Sequence, residues 1–160
     1  MSVTIRNFER ADQDVVRNLV LEGLAERWGS DFDPSYNQDL IDMYSYYVEH
    51  HRASVVVLEH SEHEDVYNTW SAEPAALRSA QLSGLRLCRM MRLSVSKDHR
   101  GKGYAKRIIL YLVHVARRLV FDKILVETET LWVSAVNVYK SMDFDVVEAG
   151  EENVHFELTL

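Results

Sequence analysis

Arg100-Gly101-Lys102-Gly103-Tyr104-Ala105 is the stretch on which the reading of this chain turns. Upstream, Leu85 to Val95 is apolar enough to predict a long strand. Downstream, Ala105, Ile108, Leu112, Ala116 and Leu119 recur at helical spacing and predict a helix over 104–120 with those residues inward. The hexapeptide is therefore a strand-to-helix turn. A helix start presents unpaired N–H groups and the positive end of the helix dipole. Glycines there let an anion come close to the backbone. Arg100, Lys102 and Lys106 put cations around the same point. The arrangement suits a pyrophosphate. The bland alternative is an ordinary glycine-containing turn.

The rest of the composition sets bounds. A chain of 160 residues is one domain of ordinary size, so residues 1–160 are expected to form a single domain. It is 47% hydrophobic and 27% charged, which is globular rather than disordered. The single cysteine, Cys88, excludes an internal disulfide and a Cys-rich zinc module. No signal-peptide pattern is expected in Met1 to Phe8. The longest apolar run, Ile108 to Phe121, is broken by His114, Arg117 and Arg118 and is too short for a bilayer. A soluble cytoplasmic protein with no membrane partner is expected. Net charge is −7, yet Arg86 to Arg118 holds ten of the 18 Lys and Arg and one acid, Asp98, a local +9 that leaves −16 elsewhere. An acidic chain with one basic segment suits a local anionic ligand better than nucleic acid.

Outside the turn, Ser2 to Phe8 reads as a strand, with Val3 and Ile5 on one face. Val15, Val16, Leu19, Val20, Leu24 and Trp28 predict a helix capped by Asp12 and ended at Gly29 to Pro34. Leu40, Ile41, Tyr44, Tyr47 and Val48 predict a second helix, and Ala53 to Leu58 a buried strand. Val66 to Trp70 reads as a short strand, and Pro74 and Gly84 bracket a helical turn. Ile124 to Val126 is a strand parallel to that ending at Val95, because a helix crosses between them. Trp132 to Met142 is a helix. Phe144 to Val147 and Val154 to Leu160 are closing strands. The order β-α-α-β-β-β-α-β-α-β-β is an α/β fold, a mixed central sheet of about seven strands flanked by about four helices.

Two nucleotide motifs fail. There is no G-x-x-x-x-G-K-[ST], and Lys106 stands where G-x-G-x-x-G needs its third glycine. What remains is R-x-x-G-x-A on Arg100, Gly103 and Ala105. This resembles the coenzyme A pyrophosphate loop of the GNAT superfamily of N-acetyltransferases. Leu93-Ser94-Val95 looks like the end of that family's fourth strand. Ala135, Tyr139 and Phe144 match a later family motif, and Thr128 to Phe144 is particularly like the camello-type N-acetyltransferases.

The resemblance implies a single GNAT-like domain that moves an acetyl group from acetyl-CoA to a primary amine by direct attack. It implies that Leu93, Ser94, Val95, Arg100, Gly101, Lys102, Gly103, Tyr104 and Ala105 bind the cofactor. The Leu93 N–H would polarise the thioester carbonyl, Val95 would pair with pantetheine, and Tyr139 would protonate the leaving thiolate. The alternative for Tyr139 is a packing aromatic with a satisfied hydroxyl. Trp132 replaces an asparagine common in the family, leaving Ser134 or Asn137 to contact the cofactor. Asp143 replaces a glycine, which puts the turn before Phe144 in question.

Arg89 stands where some relatives carry a glutamate base, and Glu127, Glu59 or a water chain are the alternatives. Cys88 reads as a small strand residue rather than a nucleophile. His60-x-x-His63 reads as a solvated loop, so no metal is expected. Aromatics and acids between Glu26 and Tyr47 would suit a cationic acceptor or would simply pack. A non-catalytic acyl-CoA-binding regulatory domain is the competing class, a basic binding module a third, and a homodimer stays open.

Overall fold

The computed structural model describes residues 3–49, 55–60, 70–74 and 84–160. Its elements follow the expected order. They are β1 (Val3–Asn7), α1 (Gln13–Trp28), β2 (Val55–His60), β3 (Trp70–Pro74), β4 (Leu87–Met91), α2 (Tyr104–Arg118), β5 (Lys123–Glu129), α3 (Val133–Lys140), β6 (Asp145–Ala149) and β7 (Asn153–Thr159). A π-helical stretch, Tyr44–Glu49, is the fourth helical segment of more than one turn among the described residues. Seven strands hydrogen-bond in the order β1-β2-β3-β4-β5-β7-β6. The chain groups into two compact units, Met1–Ser71 with Arg92–Ile108, and Ala72–Met91 with Ile109–Leu160.

In the first unit, β1 pairs antiparallel with β2, Ile5 opposite Leu58. Val16 and Val20, one turn apart on α1, are buried with Phe8, Leu40, Met43, Tyr47, Val55 and Val57. The inward stripe of α1 is narrower than expected, because Val15 and Trp28 are exposed. Gly29 ends the helix at φ 58, its N–H reaching the Ala25 carbonyl.

Asp12 precedes α1 but does not cap it through its side chain. Its buried carboxylate takes a fork from Arg6 at 2.7 and 2.8 Å and the Glu9 N–H at 2.8 Å. Burial alone would raise the Asp12 carboxyl. The Arg6 hydrogen bonds, the Glu9 N–H and the Arg6 charge outweigh burial and hold it below its ordinary value.

The expected second helix, on Leu40 to Val48, forms only over Tyr44–Glu49, and as a π-helix rather than an α-helix. The chain makes three short 3-10 turns, Gly29–Asp31, Pro34–Tyr36 and Gln38–Leu40, before the π-helical stretch. Side chains take the backbone groups that an α-helix would use. The Asp33 carboxylate accepts from the Ser35 N–H at 2.8 Å, and Asp42 from the Ser45 N–H at 2.9 Å. Gln13 accepts the Met43 N–H at 2.9 Å and donates to the carbonyls of Leu40 and Ile41 at 3.0 and 3.2 Å. Leu40, Met43 and Tyr47 still share an inward face, while Ile41 points to solvent.

In the second unit, β4 and β5 are parallel, Leu87 opposite Lys123 and Met90 opposite Val126, as the crossover argument requires. β7 pairs antiparallel with both β5 and β6, with an irregularity between Val146 and Glu148. Alternation buries Cys88 and Met90 on β4, Ile124 and Val126 on β5, and Val154 and Phe156 on β7. Helix α2 buries Ile108, Leu112 and Ala116 as expected, together with Ile109 and Val113. Leu119 is instead half exposed, because α2 ends at Arg118 and the chain turns through Val120 at φ 61.

Strand β4 is shorter than the expected Leu85 to Val95. It ends at Met91, and Arg92 adopts φ 63, so Leu93, Ser94 and Val95 follow a corner rather than continue the ladder. The expected strand at Val66 to Trp70 meets β3 only at Trp70, and its other residues lie outside the described ones. So do the turn between Pro74 and Gly84 and the loop of His63. Among the described residues no helix is long and apolar enough to cross a membrane.

Candidate active site

In the first unit the site begins at the Arg92 corner. The Arg92 guanidinium forks onto Asp39, Nη2 to Oδ1 at 2.8 Å and Nε to Oδ2 at 3.1 Å, while Nη1 donates to the Asn37 Oδ1 at 2.8 Å. The Tyr47 hydroxyl donates to the same Asp39 carboxylate. Leu93, Ser94 and Val95 follow, each partly buried. A 3-10 turn, Lys97–His99, comes next, closed by a 3.0 Å contact between Ser96 Oγ and His99 Nδ1. His99 stacks beside Tyr104, ring centroids 6.2 Å apart, so it serves the turn's own geometry.

The glycine turn then enters α2. Gly101 and Gly103 have φ 76 and 81, backbone that side chains rarely adopt. A Cβ built on either would meet no atom within 4 Å, so both glycines front open space. Gly103 accepts the Arg107 N–H at 3.1 Å. The first amides of α2 therefore face a cradle without side chains, flanked by exposed Lys102 and Lys106. These residues fit the pyrophosphate of a coenzyme A.

Arg100 has a different duty in this structure. Its guanidinium pairs with Glu26 of α1 through two bonds of 2.9 Å, and its Nε donates to the Val95 carbonyl at 3.0 Å. The Arg100 hydrogen bonds hold Glu26 below its ordinary value against the opposing effect of burial, with lesser Coulombic help from Arg100, Lys97 and Arg27. Arg100 thus staples the loop to α1 and engages the carbonyl that was expected to pair with pantetheine.

In the second unit Tyr139 is 5% exposed. Its ring meets Phe144 edge-on at 5.5 Å and Phe156 at 5.6 Å. Ser134 and Asn137 lie on the exposed face of α3, opposite the buried Tyr139, so the three residues do not share a face. The turn before Phe144 keeps a glycine-like shape although it lacks the glycine. Asp143 sits at φ 61, and the Phe144 N–H reaches back to the Tyr139 carbonyl at 3.2 Å. Aspartate tolerates this region better than most side chains.

Both candidate bases carry partners. Glu127 contacts Arg89 at 3.3 Å and His155 at 3.8 Å, on neighbouring strands. Glu59 pairs with Arg6 at 3.0 Å. The Cys88 thiol is buried, which pushes it up to about 11, so it stays protonated and packs as expected. Among the described residues no group of His, Cys, Asp and Glu could hold a metal. The acids between Glu26 and Tyr47 are mostly committed to neighbours. Glu26 serves Arg100, Asp33 and Asp42 cap turns, and Asp39 serves Arg92. The Arg92, Asp39, Asn37 and Glu26 partnerships carry no periodic or motif signal in the sequence. In the sequence Arg92 is merely one of the ten cations between Arg86 and Arg118.

The acetyltransferase (GNAT) family model matches residues 21–144. The chain belongs to the GNAT family. N-acetyltransferase 8F1 of Mus musculus is 30% identical over 127 residues, covering 79% of this chain and 55% of that protein. N-acetyltransferase 8F1 of Rattus norvegicus is 37% identical over 62 residues, covering 39% of this chain and 28% of that protein. The chain thus spans about half or less of the length of these curated relatives. The fold is that of a GNAT-family acetyltransferase from Staphylococcus aureus Mu50, with a TM-score of 0.82 at 13% identity over 99% of each chain. It is also that of the PaiA N-acetyltransferase of Thermoplasma acidophilum, solved in complex with coenzyme A, with a TM-score of 0.79 at 10% identity over 100% of each chain.

Proposed function

We propose that residues 1–160 act as a single acetyl-CoA-dependent N-acetyltransferase domain. It transfers an acetyl group to a primary amine of a small molecule, peptide or protein by direct attack in a ternary complex. The observation that carries this reading is the side-chain-free cradle at Gly101 and Gly103, just before the first turn of α2 and inside the stretch that matches the family model. Acetyl-CoA supplies an activated thioester when bound. Gly101, Lys102, Gly103, Tyr104 and Ala105 hold its pyrophosphate through backbone N–H groups and lysine charge. Arg100, paired here with Glu26 and the Val95 carbonyl, leaves Glu26 to bind a phosphate oxygen when the cofactor is present.

The Leu93 N–H donates to the thioester carbonyl, and Ser94 and Val95 align the chain of the cofactor alongside. The Tyr139 hydroxyl supplies the proton to the departing thiolate, the proton lost by the amine passes through a water chain that restores the hydroxyl, and Ser134 or Asn137 contributes a polar contact. The acceptor amine and acetyl-CoA are the partners of this reading, without nucleic acid. The cytoplasm is the proposed compartment, and a homodimer is compatible with it.

Thermal unfolding with acetyl-CoA at about 100 times Kd adds roughly 2.7 kcal/mol, a rise of about 5–10 °C for a chain of this size. No rise at millimolar acetyl-CoA would overturn the reading. Tyr139→Phe is expected to lower turnover about 10–10⁴-fold with coenzyme A affinity kept. Wild-type turnover in that variant would return Tyr139 to a packing role.

A further inference from the structure

The first unit contains a side-chain network that the proposed chemistry has not used. The Leu93 N–H lies in the rigid peptide plane that joins residue 92 to residue 93. Its direction is therefore set by the backbone of Arg92. That backbone is left-handed at φ 63, a region where glycine is at home and arginine is not. What arginine adds is its fork. The bidentate pair to Asp39 and the bond to Asn37 tie the corner to residues 37–39.

Asp39 is in turn gripped by the hydroxyl of Tyr47, which is fully buried. The backbone between them is pinned to α1 through Gln13, which bonds Leu40, Ile41 and Met43. The side chains of Arg92 and Asp39 are 22% and 11% exposed, so the pair is largely shielded from water. A buried ion pair is weak support for stability and better suited to fixing one geometry.

We propose that Arg92 is a positioning residue: through Asp39 and Tyr47 it aims the Leu93 N–H at the thioester carbonyl. It thereby makes polarisation of that carbonyl depend on the conformation of residues 37–47. The inference rests on the acetyl-CoA reading of the site and adds to it the residue that sets its one donor.

Infrared spectra of bound acetyl-CoA labelled with ¹³C at the carbonyl test this without an acceptor. In the wild-type protein the carbonyl stretch falls below its value in solution. Arg92→Gly keeps the left-handed backbone accessible but removes the fork. It is expected to bind acetyl-CoA within about threefold of wild type while losing at least roughly half of the downshift. Asp39→Asn keeps the shape of the partner and removes its charge, and is expected to lose less. A full downshift in Arg92→Gly would overturn the proposal and leave the Leu93 role intact. A wild-type complex with no downshift would overturn the Leu93 role, and this proposal with it. Thermal unfolding of each variant separates both results from a failure to fold.

Discussion

The glycine turn and the Arg92 corner solve the same backbone problem by opposite means. Both need positive φ, at 76 and 81 in the turn and 63 at the corner. The turn uses Gly101 and Gly103, which reach that region without steric cost and leave open space where a Cβ would be. The corner uses an arginine and holds it with Asp39 and Asn37. Open space is what a large anion needs, so the turn cannot afford side chains. The N–H that we propose the corner aims at one carbonyl needs direction more than space, which a brace supplies. The same backbone angle thus marks a receptive surface in one place and a fixed one in the other.

Removing the brace should have the largest effect on stability. Asp39→Ala leaves Arg92 without its carboxylate in a site largely closed to water, and about 3 kcal/mol should be lost in chemical denaturation. A loss comparable to that of a surface pair would mean the brace is ornamental. Next come substitutions that read the backbone itself. Gly103→Ala should cost about 1–2 kcal/mol from φ alone, since its Cβ has room. Arg92→Ala should exceed Arg92→Gly by about the same 1–2 kcal/mol, because the fork is absent from both. Equal gaps would show that backbone strain is common to the two positions and that only the bracing differs. Gly103→Ala should also weaken acetyl-CoA by about tenfold or more, since the methyl group enters the cradle.

These two positions also differ in how far the sequence announces them. The turn was legible because glycines, cations and a change from strand to helix periodicity coincide within a few residues. Strands β4, β5 and β7 and helix α2 were legible for a related reason, since each buries one periodic face, whereas β2 buries four residues in a row and β6 buries none. The corner was not, because a single left-handed arginine interrupts no pattern and its partners lie more than fifty residues away. The second helix, expected from Leu40 to Val48, forms only over Tyr44–Glu49 and as a π-helix, for a physical reason of the same kind. Leu40, Met43 and Tyr47 have helical spacing, but Gln13 takes the Met43 N–H and the Leu40 and Ile41 carbonyls. Asp143 shows the reverse case, a missing glycine that left its turn shape intact at φ 61.

The smallest expected effect concerns Arg100, which belongs to the turn yet is held by a carboxylate like the corner. Its pair with Glu26 is exposed on both sides, so Glu26→Gln should cost less than about 1 kcal/mol. The Glu26 carboxyl sits below its ordinary 4.5 in the folded chain. Its contribution is therefore fully present above that value and is lost as pH falls through the depressed one, so acid should narrow the gap between wild type and variant. Ligand binding should move the other way. Phosphate oxygens and the Glu26 carboxylate compete for one guanidinium, so Glu26→Gln should tighten acetyl-CoA by a few-fold while leaving the Arg92 corner untouched. Isothermal titration at low and high salt would read this directly, because a gain that comes from freed charge shrinks as salt rises. Weaker binding in the variant would mean that Glu26 holds Arg100 in its working pose. The turn would then be braced as the corner is.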